Sequence, residues 1–105
     1  MTDQFTDSSL SWQLPDLCKR HTAWTKATFG PGRKPWNHLV LEAQELAAKP
    51  GDISEMADVM LLLIDTAKLA GFSICDVLQA ANEKHEINKA RQWSPIDDRG
   101  VAKHL

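Results

Sequence analysis

Glu42-Ala-Gln-Glu45, then Lys49-Pro-Gly-Asp52, then Glu55-Met-Ala-Asp58 is the stretch that decides how this chain reads. Each acidic pair is spaced i,i+3, and residues three apart stand about 60° from each other around a helix, so each pair projects from one face. Pro50-Gly51 between the pairs is a turn signal, which makes the two segments successive helices of a hairpin. An antiparallel hairpin can gather Glu42, Glu45, Glu55 and Asp58 into an oxygen-rich nest suited to magnesium or manganese. Asp58 carries particular weight, because it lies within Met56-Ala-Asp-Val-Met-Leu-Leu-Leu-Ile64, where every other residue is apolar. An ionised carboxylate buried in such a run is costly unless it meets a cation, a hydrogen-bond network or a wet cleft.

Local chemistry offers competing readings of the same residues. Asp52-Ile-Ser-Glu55 is a capping box, in which Asp52 caps the helix and Glu55 reaches back to its amide; that alone would account for Glu55. Glu42 and Glu45 could equally line a solvated helix face. Neither reading accounts for Asp58, whose spacing from Glu55 repeats that of the first pair.

Around the hairpin, turn and cap signals divide the chain into four helices, an all-α fold. Pro15-Asp16 suits the first turn of a helix reaching about Thr28, and Gly30-Pro-Gly32 ends it. A second helix runs from about Pro35 to Lys49, with Trp36, Leu39, Val40, Ala43, Leu46 and Ala47 as its apolar stripe and the carboxylates on the adjoining one. The third starts at Asp52 and stops at Gly71, a C′ glycine. Ser73-Ile-Cys-Asp76 opens the fourth, which continues to about Gln92. Residues 1–105 read as one domain with a helical core over about 14–93 and tails at 1–13 and 94–105. The third helix is apolar around much of its circumference, which predicts burial against a second copy, as a dimer or tetramer.

Composition narrows the function classes. A net charge of −2 without a basic stripe gives no footprint for a nucleic-acid polymer. The longest apolar run is broken by Asp58 and Asp65, too short and too charged for a membrane span. Met1-Thr-Asp-Gln-Phe has no signal-peptide pattern and Cys18 and Cys75 have no CxxC spacing, so both read as reduced thiols of a cytoplasmic protein. Asp65 reads as an outer carboxylate of the nest or as a surface partner of Lys68.

The acidic hairpin, with Trp24-Thr-Lys-Ala-Thr-Phe-Gly-Pro-Gly-Arg33 and His38 before it and Asn88-Lys-Ala-Arg-Gln-Trp93 after it, resembles the all-α MazG-like nucleoside triphosphate pyrophosphohydrolases, and within them the dATP/dGTP pyrophosphohydrolase branch. The resemblance implies a four-helix bundle assembled as an oligomer. It also implies Mg²⁺-dependent hydrolysis of purine (deoxy)nucleoside triphosphates, dGTP or GTP foremost, to the monophosphate and pyrophosphate, with dGMP feeding a modified-purine pathway and Mn²⁺ able to replace Mg²⁺. On that reading Glu42, Glu45, Glu55 and Asp58 are the metal ligands, and Glu45, with Glu42 beside it, is the candidate catalytic base. Lys84, Asn88 and Arg91, at i, i+4 and i+7, would present two cations and an amide to the phosphates. Arg33, His38 and Trp93 complete the candidate substrate residues, with Trp24, Phe29 and Trp36 as further stacking platforms. Two other functions fit the same residues: a house-cleaning pyrophosphohydrolase of non-standard or pyrimidine nucleotides, and a non-catalytic helical metal-binding oligomerisation module.

Overall fold

Prolines and glycines set the helix boundaries seen in the computed structural model, which describes residues 7–105. The helices are α1 (Asp7–Phe29), α2 (Pro35–Ala48), α3 (Ile53–Leu69) and α4 (Ile74–Ala90). Among the described residues the only strand-like pairing is an isolated bridge between Trp93 and His104, so the all-α reading holds. The chain divides into two compact units, one closing at Ile74 and the other running from Cys75 to Leu105.

Within the first unit, α1 departs from expectation. It begins at Asp7 and carries Pro15 inside the helix. Proline lacks the N–H that an interior position needs and its ring crowds the preceding turn, so it more commonly marks a first turn. Here α1 continues through it, and of the expected 1–13 tail residues 7–13 are helical while residues 1–6 lie outside the described residues.

Elsewhere the stop and start signals act as expected. Pro35 sits at the start of α2, and the Lys49 amide closes its end by donating to the carbonyls of Glu45 and Leu46, both at 3.0 Å. At α3, Asp52 Oδ1 accepts from the Ser54 amide at 2.9 Å and from the Ser54 hydroxyl at 2.6 Å. The C-terminus of α3 is a Schellman turn: the Phe72 amide reaches the Ala67 carbonyl at 2.9 Å and the Gly71 amide reaches Lys68 at 3.1 Å. Gly71 has φ +89°, a conformation open to glycine at little cost.

The main packing of this unit is α2 against α3, with α1 also meeting α3. The better-covered stripe of α2 is Pro35, Leu39, Glu42 and Leu46, whereas Trp36, Val40, Ala43 and Ala47 are exposed. This corrects the expected assignment of faces: Glu42 lies within the covered stripe instead of beside it. On α3 the buried residues are Leu62, Ile64, Asp65 and Ala67. Met56, Met60 and Leu63, spaced i, i+4 and i+7 on another face, are exposed.

The second unit contains α4 and, over the expected 94–105 tail, a folded-back segment. The Ser94 amide donates to Lys103 at 2.7 Å and the Leu105 amide to Gln92 at 2.8 Å. Asp97 Oδ1 organises the bend by accepting from the amides of Arg99 and Val101, both at 2.9 Å.

Candidate metal centre

The hairpin brings Glu42, Glu45 and Glu55 together, one carboxylate oxygen of each lying within 4.8 Å of the others. Glu42 comes from the covered stripe of α2, and Glu55 from the first turn of α3. Glu45, one turn beyond Glu42, is exposed at the rim. The capping-box alternative for Glu55 fails on its own hydrogen bond, since the Asp52 amide donates to the Lys49 carbonyl at 3.0 Å. Oε2 of Glu55 and Oε2 of Glu42 are both buried without a hydrogen-bond partner.

Crowding of carboxylates has its expected electrostatic result. The Glu42 carboxyl titrates above its ordinary range, chiefly through a side-chain hydrogen bond with Glu45, then through burial and the charges of Glu45 and Asp58. His38 Nε2, 3.1 Å from Glu42 Oε1, acts in the opposite direction. Glu55 is also raised, first by burial and then by the charges of Glu45, Asp52, Glu42 and Asp58. Asp52 is lowered by its bonds to Ser54.

Hard oxygen donors converging with two orphaned buried oxygens fit a divalent cation, which would satisfy those oxygens and offset the repulsion. Glu42, Glu45 and Glu55 would hold it. Asp58 stands outside this triad and is exposed, close enough for its charge to raise both Glu42 and Glu55. The acid that is buried on α3 is Asp65, two turns beyond Asp58.

Asp65 is 4% exposed and faces groups from outside its own helix. Its Oδ1 lies 3.0 Å from His21 Nε2 of α1, and its Oδ2 lies 2.8 Å from Arg33 Nη1 of the α1–α2 connection. Neither contact meets hydrogen-bond geometry, which leaves His21 Nε2 and Asp65 Oδ2 without hydrogen bonds. The guanidinium of Arg33 also covers the Phe29 ring at 4.8 Å, and Phe29 meets Trp24 edge to face at 5.5 Å. The surface pairing of Asp65 with Lys68 is therefore corrected, and His21, which carried no signal in sequence, proves to be a partner of Asp65.

The remaining candidates lie in the second unit. On α4, Asn88 Oδ1 accepts from Arg91 Nη1 at 3.4 Å and the Asn88 carbonyl accepts from Trp93 Nε1 at 2.8 Å. Trp93 meets His104 edge to face at 5.9 Å, and Lys84 is exposed.

Four helices with a carboxylate nest on a hairpin define an all-α protein of the MazG-like class. The solved structure of a cyanophage S-2L MazG-like pyrophosphohydrolase, bound to dGDP and three catalytic Mn²⁺ ions per active site, superimposes with a TM-score of 0.67 at 34% identity, covering 89% of this chain and 97% of that one. The family model for dATP/dGTP pyrophosphohydrolases matches residues 17–105, and the chain belongs to that family. Its relatives include a dATP/dGTP diphosphohydrolase of cyanophage S-2L, 38% identical over 97 residues and 88% covered on both sides. Another is a dATP/dGTP diphosphohydrolase of Salmonella phage PMBT28, 34% identical over 96 residues; these make up 88% of this chain but 31% of that protein's length.

Proposed function

We propose that this chain hydrolyses purine deoxynucleoside triphosphates, dGTP foremost, to the monophosphate and pyrophosphate, using Mg²⁺ or Mn²⁺. The observation that carries the reading is the convergence of Glu42, Glu45 and Glu55 around two buried, unpartnered oxygens. It is supported by family membership and by the dGDP and Mn²⁺ in the related cyanophage structure. In the reaction, water adds to the α-phosphorus, the bond from that phosphorus to the bridging oxygen breaks, and one proton is released. A bound divalent ion would supply Lewis-acid stabilisation of charge on the phosphoryl oxygens. Glu45, the exposed member of the triad, takes the proton from the attacking water, while His38 orients Glu42. Asp58 adds negative potential at the edge of the nest. Lys84, Asn88, Arg91 and Trp93 suit phosphate and base by their chemistry, and are proposed for substrate on that ground.

The exposed stripes Trp36/Val40/Ala43/Ala47 and Met56/Met60/Leu63 suit burial by a second copy of the chain. Product dGMP would then be available to a modified-purine nucleotide pathway in the host cytoplasm.

A panel of ribo- and deoxynucleoside triphosphates with Mg²⁺ or Mn²⁺, read by pyrophosphate release, tests the activity. Glu45→Gln will abolish release in every case while leaving the helical circular-dichroism signal intact. Full activity of that variant would remove the nest from the chemistry.

A further inference from the structure

Beside the buried Asp65 lies a cavity of about 220 Å³ lined by Thr22, Thr25, Lys26, Gly30, Arg33, Asp65, Lys68 and Leu69, all within the first unit. It is smaller than the roughly 300 Å³ at which whole-ligand clefts begin, so it suits one ring system instead of an entire nucleotide. Resting on the function proposed above, we propose that this cavity receives the nucleobase and that Asp65 selects guanine over adenine.

The first argument is the unmet capacity of Asp65. An ionised carboxylate has about four lone-pair sites, and the contacts to His21 and Arg33 occupy two at most. Oδ2 is buried and lacks any hydrogen bond, and Asp65 lines the cavity. Buried acceptors are almost always paired, so an unpaired one on a residue that lines a cavity marks where a ligand donor belongs. The Arg33 contact lends charge, and a donor entering the cavity would supply the aligned bond.

Polarity identifies the donor. Arg33 Nη1 stands 2.8 Å from Asp65 Oδ2, which places a cationic donor beside an anionic acceptor. Guanine presents the complementary order on one edge: the O6 acceptor, then the N1–H and 2-amino donors. Adenine reverses that order at its 6 position, offering an amino donor where the cation stands and no 2-amino group for the carboxylate. Gly30 leaves open space at the rim, since a Cβ there would meet nothing within 4 Å.

Placement agrees with this. Glu55, Asp58, Leu62, Asp65 and Leu69 form one stripe of α3 at alternating spacings of three and four. From Glu55 of the nest to Asp65 is ten residues, about 15 Å along the helix, a span for a nucleotide together with the cation on its phosphates. Glu55 of the nest and Asp65 of the cavity thus stand on a common face of α3.

Binding of the monophosphates dGMP, dIMP and dAMP, measured by calorimetry with Mg²⁺, reads the inference without needing turnover. The unmodified protein will bind dGMP about tenfold or more tightly than dIMP, which lacks only the 2-amino group, and will discriminate at least as strongly against dAMP. Asp65→Asn will weaken dGMP by about 10- to 100-fold, leave dAMP within about threefold and erase the preference over dIMP. Equal binding of dGMP and dIMP by the unmodified protein overturns the proposal even if the variant fails to fold. So does a variant that weakens dGMP and dAMP alike, the result expected if the cavity's cations hold phosphate instead. Pyrophosphate release from dGTP without this base dependence refutes the Asp65 assignment alone. Absence of release from any triphosphate refutes the hydrolase reading while the binding ratios still judge Asp65.

Discussion

Replacing Asp65 with alanine tests whether this acid is an internal tie or a surface ornament. Its carboxylate is 4% exposed, Arg33 is 21% exposed on its side chain and His21 12%, so truncation leaves a guanidinium and an imidazole facing a hole where a negative charge stood. Removing one partner of a fully buried ion pair costs about 3–5 kcal/mol. Arg33 belongs to the α1–α2 connection and retains some access to water, so it can turn outward and recover part of this, giving a loss of about 2–3 kcal/mol. At roughly 4 °C per kcal/mol for a chain near 100 residues, the melting temperature falls by about 8–12 °C. A surface pairing with Lys68 would have been worth about 0–1 kcal/mol and would vanish in salt. Differential scanning calorimetry of the metal-free protein at low and high ionic strength separates the two. A fall of less than about 4 °C, or one removed by 0.5 M salt, where the Debye length is about 4 Å against about 30 Å at 0.01 M, would refute the internal tie.

Two further outcomes follow from the carboxylate nest and the end of α3. Glu42 and Glu55 have folded pKa values raised above the ordinary 4.5, so their protonated forms favour folding: the contribution is complete below 4.5 and is lost as pH rises through the raised values. The metal-free melting temperature will therefore gain this contribution as pH falls from neutrality toward 4.5, and a Glu42→Gln/Glu55→Gln variant will lose that gain; an unchanged pH profile in the variant would contradict the assignment. Asp52, lowered from 3.8, acts the other way, contributing above 3.8 and losing that contribution as pH falls through its folded value. Gly71→Ala will cost about 1–2 kcal/mol, because φ +89° strains an L side chain although nothing lies within 4 Å of the added Cβ; chemical denaturation showing no loss would mean that the Schellman turn relaxes freely.

Much of this was legible in sequence because it is local. The i,i+3 acidic pairs, the Pro50-Gly51 turn, the Asp52 cap and the C′ position of Gly71 are all decided within a few residues, and the helix hairpin with its Glu42, Glu45 and Glu55 convergence follows from them. Pro15 misled for the same reason: it signals a helix start by local rule, yet α1 passes through it. Which of two acids in one apolar run is buried is not a local matter. Asp58 and Asp65 share a face of α3, and what separates them is the arrival of α1 and the α1–α2 connection with His21 and Arg33, from more than thirty residues earlier in the chain. Periodicity says nothing about such an arrival. The covered face of α2 was misread for a related reason, since Trp36 and Val40 are apolar without being covered by the chain itself.

The two orphaned oxygens of Glu42 and Glu55 also bear on how variants of this protein are selected. Carboxylates that repel one another in the absence of a cation mean that amide replacements at these positions relieve tension in the empty protein. A library sorted for heat resistance in a chelating buffer would therefore enrich lesions in the nest, and its hardiest members would be the ones least able to bind metal. Sorting with divalent cation present reverses the pressure, because the ion rewards the intact cluster more than the amide rewards its loss.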